Sequence, residues 1–263
     1  MPWLSVVTVV KDDPEGFARS QESLAGQDVA DVEWVIVDGS TDRSAIPDLL
    51  GIDDSAIPTR YEHRAPAGIY DAMNAALARC CGEYVYFLNA GDELLEASVL
   101  RRVRQALSGS PVWAFGPVEI HEIGGNIVVT PSWDYQKERA ASFSRGVFPS
   151  HQGTFARVHA LRSAGGFDST FSVAADYAVF LKLSLLGDPV RLPFVIAAFR
   201  EGGTSTKQWQ RSFSEFHRAR REILKPSGAA GLREIWATAI HYSLVFAHRE
   251  VRPRLSWPKR PSP

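Results

Sequence analysis

Apolar and polar positions fall into alternating blocks along the first half of this chain. Leu4–Val10 is a nearly unbroken apolar run that Lys11-Asp12-Asp13 stops, the pattern of a strand buried on both faces. Pro14 to about Ala25 reads as a helix with Asp13 as its N-cap and Pro14 at its first position. Trp34–Val37 is a second strand. It runs into Asp38-Gly39-Ser40-Thr41-Asp42, a turn able to cap a short helix. Thr59–His63 forms a weaker third strand. Ile69, Met73, Ala76 and Leu77 then recur at helical spacing until Gly82-Glu83 breaks the pattern. Tyr84–Leu88 is a β-rich run that ends at Asn89-Ala90-Gly91-Asp92-Glu93, and a helix follows from Glu96 to Leu107. Apolar strands alternating with helices predict an α/β fold: a mixed, mainly parallel, Rossmann-like sheet flanked by helices.

The second half changes character. Val112–Phe115 is a further strand, and Glu119–Ile123 with Ile127–Thr130 makes a hairpin through Gly124-Gly125-Asn126. Gln152–Arg157 is extended and leads through a short helix to the turn Gly165-Gly166-Phe167-Asp168. A helix spans about Ala175 to Leu186, and Val190–Phe199 is extended again. Two amphipathic helices close the pattern. Trp209, Phe213, Phe216 and Ile223 share a face of the first; Leu232, Ile235, Trp236, Ala239, Ile240 and Leu244 share a face of the second. Pro253–Pro263 reads as disordered.

Charge divides the chain where the pattern does. The 263 residues carry a formal net charge of -1, yet from Lys207 onward there are 12 Lys+Arg against 4 Asp+Glu, which leaves 17 against 26 before it. An acidic body with a basic tail fits surface binding by the tail and argues against a nucleic-acid-binding domain. The expected division is therefore a domain over 1–206 and a helical extension over 207–263. Arg218, Arg220, Arg221, Lys225, Arg249, Arg252, Arg254 and Lys259 are candidates for peripheral contact with anionic lipid headgroups; packing on the core or on another subunit is the alternative. The run Trp3–Val10 lacks a basic leader and is too short to span a membrane, so the expected location is cytoplasmic, or the inner face of the plasma membrane. The only two cysteines, Cys80 and Cys81, are adjacent at a helix end, where a relaxed disulfide between them is disfavoured and no zinc spacing exists.

Candidate chemistry sits at strand ends, where ligands bind in open α/β sheets. Asp38 ends the second strand beside Thr8 and Asp12 of the first, positions able to hold a base and ribose. The same residues also suit turn and cap chemistry alone. Asp92, delivered by a rigid strand, suits a hard divalent ion shared with a diphosphate, or simply a capping loop. His151-Gln152 can orient a hydroxylated substrate or be packed. Asp176, in Ala174-Ala175-Asp176-Tyr177, is a carboxylate in a helix's first turn, where capping alone also favours it.

The ordered set VVTVVKDD, EWVIVDGSTD, GIYDAMNAAL, GEYVYFLNAGDE, SHQGTF, GGFD, AADYAVFLKL and GGTST resembles the family 2 glycosyltransferases, which have a nucleotide-sugar-binding GT-A fold. The pattern is most similar to bacterial enzymes of exopolysaccharide assembly such as those of colanic-acid clusters, and it covers roughly Leu4 to Thr206. The resemblance implies that Asp38, helped by Thr8 and Asp12, contacts the base or ribose of a nucleoside-diphosphate sugar. It implies that Asp92 holds a divalent metal (Mn²⁺ or Mg²⁺) against the diphosphate, with Asn89 offering a carbonyl oxygen nearby. Asp176 is implied to be the catalytic base, His151 and Gln152 to line the acceptor side, and Gly202, Gly203 and Ser205 to form a mobile loop near the diphosphate. Asn89 and Gly91 stand where the family often has Asp. Ala65-Pro66-Ala67 stands where an Asp and a polar residue often precede Gly68.

The implied activity is inverting, metal-assisted transfer of a sugar to a hydroxyl of a glycan or lipid-linked acceptor. A catalytically silent scaffold or sugar-nucleotide-binding protein in a polysaccharide assembly complex is the alternative. A sugar-nucleotide nucleotidyltransferase fits less well, because Lys11-Asp12-Asp13-Pro14 is not the Gly-rich basic loop such an enzyme needs after its first strand.

Overall fold

The computed structural model describes residues 1–50, 57–130, 135–200 and 209–246. Strands are β1 (Leu4–Val10), β2 (Val32–Asp38), β3 (Thr59–His63), β4 (Tyr84–Phe87), β5 (Glu93–Leu94), β6 (Trp113–Phe115), β7 (Glu119–His121), β8 (Ile127–Val129), β9 (Thr154–Arg157), β10 (Val190–Arg191) and β11 (Ala197–Arg200). Helices are α1 (Pro14–Ala25), α2 (Ala45–Leu50), α3 (Ile69–Arg79), α4 (Val99–Ala106), α5 (Tyr135–Ser144), α6 (Val158–Ser163), α7 (Ala175–Leu186), α8 (Trp209–Leu224) and α9 (Gly228–Phe246).

One seven-stranded sheet in the order β10-β6-β9-β4-β1-β2-β3 carries the core. Strands β3, β2, β1 and β4 are mutually parallel, whereas β9 runs antiparallel to both of its neighbours, β4 and β6. The sheet is thus mixed and mainly parallel, as expected. Every residue of β1 and β2 is buried, which is why both read as continuous apolar runs. One face packs Val7, Val9, Val35 and Val37 against Met73, Ala76 and Leu77 of α3 and against α7. The other packs Val6, Trp34 and Ile36 against Phe17 and Leu24 of α1. Each such fully buried side chain contributes about 1.5–3 kcal/mol.

The predicted hairpin forms, but in a separate four-stranded sheet ordered β5-β11-β7-β8. Leu94 of β5 pairs with Ala197 of β11, so this small sheet pins the chain immediately after Asp92. Helix α5 had no counterpart in the sequence reading: its polar residues mask an anchor made by buried Tyr135 and Phe143.

Chain order makes β1 the switch point. From β1 the chain steps outward to β2 and β3, then returns to place β4 on the opposite side of β1. The carboxyl ends of β1, β2 and β4 therefore open onto one crevice.

Helix α8 packs on the body through Ala219, Phe216 and Ile223, and a polar network joins α9 to it. Buried Arg220 of α8 donates to the carbonyl of Phe143 and the Tyr177 hydroxyl, both at 3.1 Å, and to Glu234 and Thr238 of α9, both at 2.7 Å. Arg249, Arg252, Arg254 and Lys259 lie outside the described residues.

Candidate active site

The loop after β4 is shaped by α1. The buried Ser20 hydroxyl lies 3.0 Å from the Asn89 carbonyl and 2.7 Å from that of Asp92, and it accepts from the Gly91 N–H at 3.1 Å. Gly91 has φ +92°, a left-handed conformation that an aspartate would strain. That backbone explains why a glycine interrupts the acidic motif here.

Asp92 is buried, and burial pushes its carboxyl up to about 8 against hydrogen bonds from the Asn89 backbone and the Gln152 side chain. Gln152 thus braces Asp92 from behind. Its own amide oxygen accepts from Ser150, so this side chain is held against the acidic loop.

His151 joins the two halves of the site. Its Nε2 meets Asn89 Nδ2 at 3.1 Å, and its Nδ1 lies 3.9 Å from Asp176 Oδ2. Burial lowers the imidazole to about 4, so it is neutral at pH 7. The Nδ1 side of the ring faces Asp176. Asp176, at the start of α7, is four-fifths buried, and burial raises its carboxyl to about 6 against hydrogen bonds from backbone N–H groups and Tyr70. The acidic loop and the α7 carboxylate therefore flank a single imidazole at the carboxyl end of the sheet.

Gly153 seats this imidazole. A Cβ there would lie 2.4 Å from the Gly116 carbonyl oxygen, a backbone atom that cannot swing aside. Gly153→Ala is expected to destabilise the fold by about 1–3 kcal/mol and displace His151. Urea denaturation checks the first effect, and unchanged stability would contradict the packing described.

The expected donor residues are placed unevenly. Thr8 is fully buried: its hydroxyl donates to the Leu88 carbonyl at 2.7 Å and accepts from Trp34 Nε1 at 2.9 Å. It clamps β1, β2 and the end of β4 together. Asp38 is also fully buried, its oxygens accepting from the Ser40 N–H at 2.7 Å and the Tyr61 hydroxyl at 2.8 Å. Asp38 thus fixes the end of β2 next to Gly39, which lines the neighbouring cleft. Asp12 is exposed, with φ +53°, and accepts from the Thr41 N–H at 2.7 Å, tying the ends of β1 and β2 together. Gly202, Gly203 and Ser205 lie outside the described residues.

Beside these strand ends opens a cleft of about 300 Å³ lined by residues including Lys11, Gly39, Arg64, Pro66, Gly68 and Asp71. Two of these lining residues, Arg64 and Asp71, form an ion pair at 3.2 Å. The sequence reading missed Tyr61, His63 and Arg64. The alternation of Tyr61 and His63 in β3, in register with Ile36 and Asp38, was the available signal.

The oxygen donors of the acidic loop suit a hard divalent ion. Asn89 Oδ1, in the same loop as Asp92, is buried without a hydrogen-bond partner. Among the described residues no group of three or more His, Cys, Asp or Glu converges on one point, so protein ligands would be few. Few carboxylates, with diphosphate and water completing the shell, is the usual arrangement for Mg²⁺.

No protein-family profile matches the chain. It is 27% identical over 213 residues to an uncharacterized glycosyltransferase of Mycobacterium tuberculosis, covering 78% of each chain. Among solved structures, residues 1–349 of Staphylococcus aureus TarS in complex with UDP superpose with a TM-score of 0.68 at 16% identity, covering 95% of this chain and 73% of that one. Against a longer TarS chain the coverage is 45% of its length. The mannosyltransferase PcManGT of Pyrobaculum calidifontis, in complex with GDP-Man and Mn²⁺, matches with a TM-score of 0.65 at 16% identity, over 95% of this chain and 76% of that one. Kinship and fold bear out the resemblance to family 2 glycosyltransferases, the GT-A architecture and the glycosyltransferase assignment.

Proposed function

We propose that this homologue of glycosyltransferases moves a sugar, with inversion, from a nucleoside-diphosphate sugar to a hydroxyl of a glycan or lipid-linked acceptor. The observation that carries this reading is the pairing of the Asp92 loop and Asp176 on either side of His151. The nucleoside would occupy the cleft beside Lys11, Gly39 and Arg64, with Asp38 fixing the backbone of the strand end behind it through Ser40 and Tyr61. The diphosphate would then extend toward Asn89 and Asp92.

The acceptor oxygen attacks the anomeric carbon from the face opposite the diphosphate. The new C–O bond forms as the bond to the diphosphate oxygen breaks, and the hydroxyl proton passes to Asp176. The raised carboxyl of Asp176 suits it to accept that proton near neutral pH. The Tyr70 hydroxyl holds the carboxylate from the α3 side, and the neutral His151 ring packs beside it with Nδ1 at 3.9 Å. A divalent ion held by Asn89 Oδ1 and Asp92 would neutralise charge on the departing diphosphate.

Asp92→Ala is expected to abolish transfer and to remove the Mn²⁺- or Mg²⁺-dependent part of the thermal shift produced by UDP-, GDP- or dTDP-sugars. Full activity in the purified variant would sink the role given to Asp92. A wild-type protein that binds donor but neither transfers nor hydrolyses it would favour the scaffold alternative.

A further inference from the structure

Helix α9 is seated with its polar side inward. Glu234 and Thr238 face the body and clamp Arg220, itself only 3% exposed, while Glu234 also meets His217 at 2.8 Å. The apolar stripe is turned outward: Leu232 is 63% exposed, Ile235 47%, Trp236 68% and Ile240 55%. A helix resting on a protein core ordinarily does the reverse. The buried Arg220 network fixes the rotation of α9, so the stripe cannot roll inward without breaking charged hydrogen bonds in a buried setting.

We propose that this face of α9 lies on an anionic lipid bilayer. The charge argument selects that occupant. Arg221, Lys225 and Arg233 are exposed on and beside α9, and its own acid within the described residues, Glu234, is turned inward. From Lys207 onward the sequence carries 12 Lys+Arg against 4 Asp+Glu, while the rest carries 17 against 26. An anionic surface attracts the first part and repels the second, which orients the molecule with α9 down. A second copy meeting the same face would bring two basic segments together. Trp236 at the middle of the stripe is the residue type that settles at a bilayer's polar boundary. No helix among the described residues is long and apolar enough to cross a membrane, so α9 would lie in the interface plane.

The test is co-sedimentation of the full chain with vesicles of phosphatidylcholine alone or mixed with phosphatidylglycerol, at low and high salt. The wild type should pellet with the anionic vesicles at low salt and be released by high salt. Trp236→Glu combined with Ile240→Glu should weaken this by at least about tenfold. The milder Leu232→Ser with Trp236→Ser should weaken it measurably. All three positions are exposed, so far-UV circular dichroism and melting should be unchanged. Absence of wild-type binding to anionic vesicles at low salt overturns the proposal, as does equal binding by both variants. A solution dimer that Trp236→Glu dissociates would assign the face to a second copy and overturn it too. The measurement reads no turnover, so its failure leaves the transfer reading untouched.

Discussion

Asp176→Asn should lower the rate of sugar transfer by about 100- to 10,000-fold while making the protein more stable at neutral pH. The two effects share one cause. Asp176 is buried at the start of α7, and burial raises its carboxyl from 3.8 to about 6. The folded state therefore holds this proton more tightly than the unfolded chain does. Its contribution to stability is fully present below the ordinary value of 3.8 and is lost as pH rises through about 6. Above that, the ionised carboxylate costs the fold free energy. The side chain retains 19% exposure, so water offsets part of the penalty, leaving about 1–2 kcal/mol. Asparagine retains an oxygen to accept from the Tyr177 N–H, which Asp176 Oδ1 now does at 2.8 Å, but it cannot take the acceptor's proton. Melting curves should thus match the wild type at pH 4 and lie a few degrees higher at pH 8. The wild-type transfer rate should rise through about pH 6 as the base ionises. A variant that transfers sugar at the wild-type rate, or a wild-type rate flat across that range, would remove Asp176 from its role.

Much of this architecture could be read from the sequence because its signals are local. The run Leu4–Val10, Asp13 before Pro14, and the helical spacing from Ile69 each fix an element without reference to the rest of the chain. The carboxylates at strand ends were legible for the same reason, since a strand of known direction places its last residue. Orientation of side chains was not. Thr8 and Asp38 sit at the expected strand ends, yet Trp34 and Tyr61, remote in sequence, turn their polar atoms into the sheet. Gln152 similarly faces Asp92 because β9 enters antiparallel beside β4, a pairing that spacing does not encode. Nor could periodicity tell which side of α9 would face the body. That was decided by Arg220, whose burial required Glu234 and Thr238 as partners.

Glu215 offers the sharpest case of a distant residue acting on the site, and Glu215→Ala is the second change with a large expected effect. Helix α7 begins at Ala175 with Ala174 as its N-cap, so it has no capping side chain of its own. Glu215, reaching over from α8, takes that place. Its carboxylate accepts from the N–H groups of Ser172 at 3.0 Å, Val173 at 2.9 Å and Ala174 at 3.1 Å. Burial works to raise this carboxyl, and hydrogen bonds from Val173, Ser172, Arg211 and Ala174 overcome it, leaving it below the ordinary glutamate value. A negative charge at a helix N-terminus is favoured by the helix dipole as well. Removing it leaves three N–H groups unpaired, at a cost of roughly 3 kcal/mol or more in total. Because those groups lead directly into the first turn of α7, the loss also loosens the placement of Asp176. We expect Glu215→Ala to lower kcat about tenfold at a temperature where the variant remains folded, with KM for the donor unchanged. Glu215→Gln, which keeps one acceptor oxygen, should recover part of the rate. The folded carboxyl lies below its unfolded value, so its contribution is present above about pH 4.5 and is lost as pH falls through the folded value. The stability gap between wild type and Glu215→Ala should therefore narrow in acid. Urea denaturation across pH, with initial transfer rates on the same preparations, tests both halves. A variant destabilised but catalytically normal would confine Glu215 to holding the fold, and one unchanged in stability would contradict the cap itself.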